Sequence, residues 1–193
     1  MRIAFLGTPE FAVKALEAAH KHFSVVAVFS QPDRPVGRGL DVKASPVKAR
    51  ALELGLPVFT PEKISTPEEV EHLKSLRLDA AIVVAYGQIL KPAVIETARI
   101  GFINIHASLL PRWRGAAPIQ WSILNGDHET GVTTMKIVPK LDAGEMYLKQ
   151  TIPIRDNDTM QTIHDQLSEI GADLIVKTLL GLNQFLFNGF FFQ

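Results

Sequence analysis

The chain has 193 residues, 47% hydrophobic and 21% charged, which suits one sizeable soluble domain and excludes general disorder. Twenty basic residues balance twenty acidic ones, so no global basic field advertises nucleic acid, and any such binding must come from a local patch. The absence of cysteine excludes disulfides and thiolate chemistry.

Arg2–Gly7 reads as a short apolar strand, broken by Pro9 and Glu10 too soon to be a signal peptide. Thr8, Pro9 and Glu10 predict a helix start, with threonine as cap, proline at the first helical position and an acid in the first turn. Phe11, Val13, Leu16 and Ala19 supply that helix with an apolar stripe. Phe23–Ser30 is rich in β-branched residues and predicts a second strand, ending at the turn signal Gln31, Pro32, Asp33. Pro46–Leu54 reads as a short helix closed by Gly55, Val58–Thr60 as a brief strand, and Glu68–Leu76 as another helix. Asp79–Tyr86 is nearly all apolar, as in a strand covered on both faces. Ile100–His106 predicts the next strand, Ile119–Leu124 begins a helical stretch, and Gly131–Val138 and Met146–Ile154 read as later strands. Thr159–Leu180 has helical periodicity through Ile163, Leu167, Ile170, Leu174 and Val176. No stretch is long enough to span a membrane, so a cytoplasmic protein is expected.

Strands alternating with helices, apolar throughout, predict an α/β fold with an open, mostly parallel, doubly wound sheet. Ligands in such sheets sit beyond the carboxyl ends of the strands. That rule singles out the ends of Asp79–Tyr86 and Ile100–His106. Gly7, Thr8 and Pro9 lack the G-x-G-x-x-G spacing that lets a backbone approach a pyrophosphate, so a tight strand-to-helix turn is the better reading. His20, His22, His72, His128 and His164 show no metal-ligand pattern and read as surface or structural residues. Glu68, Glu69 and Glu71 read as a solvated helix start.

Alternation along Ile100–His106 points Asn104 and His106 to one face. An amide donor beside an imidazole can polarise a carbonyl and stabilise the oxyanion formed when a nucleophile adds. The plainer reading, in which Asn104 satisfies a loop and His106 bonds a neighbour, stays open. Asp142, on the small-residue turn Leu141–Glu145, can orient a histidine or merely close an Asx-turn, and spacing does not place it near His106.

The motif Asn-x-His-x-Ser-Leu-Leu-Pro, then Arg-Gly-x-x-Pro, then Leu-Asp-x-Gly resembles the 10-formyltetrahydrofolate-dependent formyltransferase family. Within it the methionyl-tRNA formyltransferase branch is the nearer likeness. Further matching blocks are IAFLGTPEFAV, QPDRPVGRG…SPVK, GLPVFTPEK, VVAYGQIL, INIHASLLPRWRGAAPIQ and NGDHETGVT, so the resemblance runs over roughly residues 2 to 180. It implies a Rossmann-like formyltransferase fold with Asn104, His106 and Asp142 as the catalytic set. An unprotonated amine would attack the formyl carbon on N10 of the folate. Asn104 and protonated His106 would stabilise the oxygen of the tetrahedral intermediate, and Asp142 would hold the histidine charge. Tetrahydrofolate would leave once N10 gains a proton, with no metal required. The resemblance assigns folate binding to Ser108, Leu109, Leu110 and Pro111, and to Tyr86, Gly87, Leu90 and Leu141.

The local basic cluster is Arg34, Arg38, Lys43, Lys48 and Arg50. In the tRNA-formylating branch the loop at this place reaches the acceptor stem, which implies initiator methionyl-tRNA as partner and Arg34, Arg38 and Lys43 as its phosphate contacts. Leu40 and Asp41 make this loop less basic than is usual there. A monomer is expected, with a catalytic domain over 1–182. That branch usually continues into a second, β-barrel domain, which these 193 residues do not contain. Residues 183–193 read as an atypical tail holding five of the eleven phenylalanines, packed, exposed or the product of truncation. Formylation of a sugar nucleotide or another small amine, formyltetrahydrofolate hydrolysis, and a folate-binding remnant of weak activity remain as alternatives.

Overall fold

A computed structural model describes residues 1–36 and 41–188, without the side chains of 35, 36, 41, 42 and 185–188. Arg38 and the last phenylalanines of the tail lie outside the described residues.

The chain opens with β1 (Arg2–Gly7), a 3-10 turn over Glu10–Ala12, α1 (Val13–His22) and β2 (Ser24–Phe29). Thr8 does not cap the first helix as expected. Its hydroxyl donates instead to the Tyr86 carbonyl at 2.9 Å, which leaves Pro9 at the N-cap with no side-chain bond. A short antiparallel hairpin follows, β3 (Arg34–Val36) and β4 (Asp41–Lys43), which three-residue strands made invisible to periodicity. Next come α2 (Pro46–Glu53), β5 (Val58–Phe59), α3 (Pro67–Ser75) and β6 (Leu78–Val84). Ser45 and Thr66 cap α2 and α3, accepting from the backbones of Lys48 and Glu69, each with proline at the first turn. The single turn α4 (Pro92–Ile95), β7 (Ala98–His106), α5 (Pro118–Leu124), β8 (Glu129–Lys136), β9 (Met146–Pro153) and α6 (Met160–Asn188) complete the fold. α6 runs eight residues past the expected end at Leu180, so 183–188 continue the helix instead of beginning a separate tail.

Seven strands form one sheet in the order β5-β2-β1-β6-β7-β8-β9. The first five are parallel, while β8 and β9 pair antiparallel. Helices α1, α2 and α6 cover one face, where Phe5, Leu16, Ile82, Ile103 and Leu167 are buried. On the other face Leu6, Phe29, Leu73, Tyr86 and Phe102 pack under α3 and α4. This double cover is why β1 and β6 are apolar at nearly every position. The order reverses beside β1, so the carboxyl ends of β1, β6 and β7 open onto one crevice. Gly171 lets α6 close onto β7, since a Cβ there would meet the Ile105 side chain at 2.8 Å. Among the described residues no helix is long and apolar enough to cross a membrane.

Candidate active site

Beyond those strand ends lies a cavity of about 820 Å³, a size typical of small-molecule sites. Asn104 and His106 reach it from the end of β7, Tyr86, Gly87 and Leu90 from the turn after β6, and Leu141 and Asp142 from the turn after β8. Alternation on β7 thus puts Asn104 and His106 on one wall, and the turn after β8 folds back to bring Asp142 to them. Apolar Val83, Met135 and Ile137 line the rest of that wall.

His106 is buried, and its two ring nitrogens have different neighbours. Nε2 lies 2.9 Å from the Trp113 carbonyl, and a carbonyl only accepts, so Nε2 carries a proton in either charge state. Nδ1 faces Asp142 Oδ2 at 3.8 Å and is the nitrogen left to exchange a proton with a ligand. Asp142 Oδ2 accepts from the Gly115 backbone at 2.7 Å. The segment between Trp113 and Gly115 therefore holds both members of the pair. The Asn104 amide has no hydrogen-bond partner among the described residues, although it sits on the cavity wall. A polar group so placed is available to a bound oxygen.

The backbone around the cavity is strained. Of five non-glycine residues in left-handed conformation among the described residues, Ala85, Trp113, Ala117 and Asp142 surround this site, and the fifth is Arg77. Gly144 is indispensable to the Asp142 turn, since a Cβ there would lie 1.8 Å from the Lys136 carbonyl oxygen. Tyr86 turns its ring into the core under α3, and burial, with Glu69 beside it, pushes its phenol well above the usual range. With its ring turned away, Tyr86 lines the cavity through its main chain, and its carbonyl is already spent on Thr8 and Gln31.

Ser108, Leu109, Leu110 and Pro111 are not brought to this cavity. The chain turns after Ala107 and folds over β8. The Ser108 hydroxyl is spent on the Arg112 carbonyl at 2.6 Å, and its own carbonyl accepts from Thr133 at 2.7 Å. Leu110 is buried, its N–H donating to Thr133 and its carbonyl accepting from Lys149. Leu109 lines a separate recess of about 480 Å³ with Arg112, Trp113 and Asp127, and Pro111 is exposed. The four residues therefore shape the turn that supports His106. Conversely, Phe11, Gln120, Met160 and His164 line the cavity without having been singled out. His164 follows Ile163 on the buried stripe of α6, which carries its ring edge-on to Phe11 at 5.3 Å. That position at the stripe's margin was the one available signal.

Arg34 and Lys43 lie opposite each other on the β3–β4 hairpin, both exposed, with Arg34 3.8 Å from Glu62. Among the described residues no group of three or more His, Asp or Glu is arranged to hold a metal ion.

Residues 1–179 match the family model described as formyl transferase. The chain belongs to the formyl transferase family. It is 55% identical over 184 residues to the methionyl-tRNA formyltransferase of Methylococcus capsulatus, covering 94% of the chain and 59% of that relative. It is 50% identical over 182 residues to the protein of the same name from Trichlorobacter lovleyi, covering 94% and 58%. The chain thus spans less than two thirds of these relatives' length. Among solved structures, the phosphoribosylglycinamide formyltransferase of Bacillus halodurans superposes with a TM-score of 0.79 at 21% identity, covering 94% of this chain and 95% of that one. A sugar 3N-formyl transferase, solved in the presence of dTDP and 5-N-formyl-tetrahydrofolate, superposes at 0.67 with 22% identity, covering 94% and 62%. At those identities the shared feature is the formyl transferase fold.

Proposed function

We propose that this domain transfers a formyl group from 10-formyltetrahydrofolate to the amino group of methionyl initiator tRNA. The observation that carries the reading is the convergence of Asn104, His106 and Asp142 on one cavity, within a chain about half identical to proteins named for that reaction.

The cavity suits the donor: apolar walls accept a flat ring, and the unpartnered Asn104 amide offers a donor to an oxygen. Tyr86–Leu90 and Leu141 would hold the pterin, supplying mainly backbone groups and apolar contact. When bound, the donor supplies an N-formyl carbon as electrophile. Asn104 would donate its N–H to the formyl oxygen as negative charge develops there, and the protonated Nδ1 of His106 would do the same. Asp142, 3.8 Å from Nδ1, would orient the ring and help relay the proton. The Trp113 carbonyl would keep the ring from rotating away. Preorganised donors of this kind are each worth about 3–4 kcal/mol in a transition state from which water is excluded.

For the acceptor, Arg34 and Lys43 on the hairpin present two like charges on one face, and a phosphate there would relieve their repulsion although Glu62 already lies 3.8 Å from Arg34. Arg38, outside the described residues, is proposed as a further phosphate contact on chemical grounds alone.

The test is formation of formyl-methionyl-tRNA from 10-formyltetrahydrofolate and charged initiator tRNA by the purified chain. Loss of transfer in Asp142→Ala, with folate binding retained, supports the reading. Formate release without transfer to any amine would replace it with hydrolysis.

A further inference from the structure

The sequence block Arg112–Gly115 joins the site to a second polar cluster that the reaction itself does not use. Asp127, in the turn between α5 and β8, is mostly enclosed and accepts three hydrogen bonds. Arg112 reaches it through Nε at 2.9 Å and Nη2 at 2.5 Å, and the Trp113 indole N–H donates to it at 2.6 Å. The Arg112 guanidinium also covers the Trp113 ring at 4.4 Å, and Trp121 stacks near that ring at 6.2 Å. The Arg112 carbonyl is tied back to the Ser108 hydroxyl.

All these bonds converge on Trp113, whose backbone is left-handed at φ 58°. An aromatic residue does not settle there by preference, so the anchors on its side chain must hold it. The same backbone places the Trp113 carbonyl on His106 Nε2. Without that carbonyl the nearest acceptor for the ring is Asp142, on the Nδ1 side. The neutral ring would then keep its proton on Nδ1, whereas a ring that gives its Nδ1 proton to a ligand oxygen must be left as the Nε2–H form.

We infer that Asp127 is a positioning residue for His106: by clamping the Trp113 indole it fixes the carbonyl that dictates the imidazole tautomer. Asp127 touches no reacting atom. Its effect on rate rests on the formyl-transfer reading, whereas its effect on the tautomer does not. The indole bond is why a turn fourteen residues along the chain, in Gly126–Asp127–His128, bears on the site.

The experiment is a nitrogen-15 NMR pH titration of the His106 ring in the full chain, read at the pH where the ring is neutral and compared with Asp127→Asn and Trp113→Phe. The second variant keeps the aromatic stack and the Arg112–Asp127 pair but removes the indole donor. The wild type should show the Nε2–H tautomer, and both variants a rise in the Nδ1–H form, with unchanged far-UV circular dichroism. In formyl transfer, kcat should fall at least about tenfold while KM for the donor moves less than about twofold. A tautomer shift in a protein that formylates nothing supports the clamp and removes the functional reading alone. An Nδ1–H wild type overturns the inference. A folded Trp113→Phe that keeps the Nε2–H ring also overturns it, whether or not Asp127→Asn folds.

Discussion

Gly144→Ala puts one methyl group where the structure has no room. The added Cβ would stand 1.8 Å from the Lys136 carbonyl oxygen and 2.8 Å from its carbon, both backbone atoms of β8. Neither can swing aside as a side chain would, and Lys136 is further held through its N–H, which donates to the Glu145 carbonyl at 2.8 Å. The turn must therefore retreat by roughly 1 Å, and Asp142 is two residues away on the same turn. Its 2.7 Å bond from Gly115 and its 3.8 Å approach to His106 leave no slack for such a shift. Overpacking of this kind costs about 1–3 kcal/mol, or roughly 2–12 °C in Tm for a domain of this size. Misplacing a catalytic carboxylate by that distance costs about a hundredfold in rate. Single-turnover formyl transfer to charged initiator tRNA measures the second effect, and thermal melting by circular dichroism measures the first. A variant with wild-type rate and Tm would refute the claim that backbone crowding at Gly144 sets the position of Asp142.

Thr130 is buried on β8 with no partner for its hydroxyl among the described residues, so Thr130→Val should stabilise the fold by about 1 kcal/mol. Thermal melting should show a gain of about 2–4 °C. Arg112, donating to Asp127, holds that carboxyl below its usual range, with the Trp113 indole adding to the effect against some burial cost. A depressed carboxyl contributes stability that is complete above about pH 4 and lost as pH falls through its lowered native value. Urea midpoints taken downward from about pH 5 should therefore fall less steeply in Asp127→Asn than in the wild type. Arg34→Ala and Lys43→Ala should each weaken tRNA binding uniformly and reduce the slope of log K against log salt by about 1. An unchanged slope in both variants would remove the hairpin from the tRNA surface.

Periodicity and punctuation were enough to read the α/β class, the two crevice-forming strand ends and the shared face of Asn104 and His106. These are local properties. A strand's period is two, a parallel sheet buries both faces, and proline with a capping hydroxyl marks a helix start, as Ser45–Pro46 and Thr66–Pro67 do. Three things were not local. Asp142 meets His106 because the segment after β8 doubles back: antiparallel β8 itself runs from His106 toward Ile103, and only the turn beyond it returns to the crevice, which spacing does not encode. Ser108–Pro111 left the cavity because buried backbone groups there had to be satisfied by Thr133 and Lys149, and hydrogen-bond accounting across the sheet outweighed nearness in sequence to His106. The choice of which His106 nitrogen faces a ligand came from a carbonyl seven residues on, held by a carboxylate fourteen beyond that. Residue types along the chain named the chemistry. Only packing decided which atom of each residue would be free to perform it.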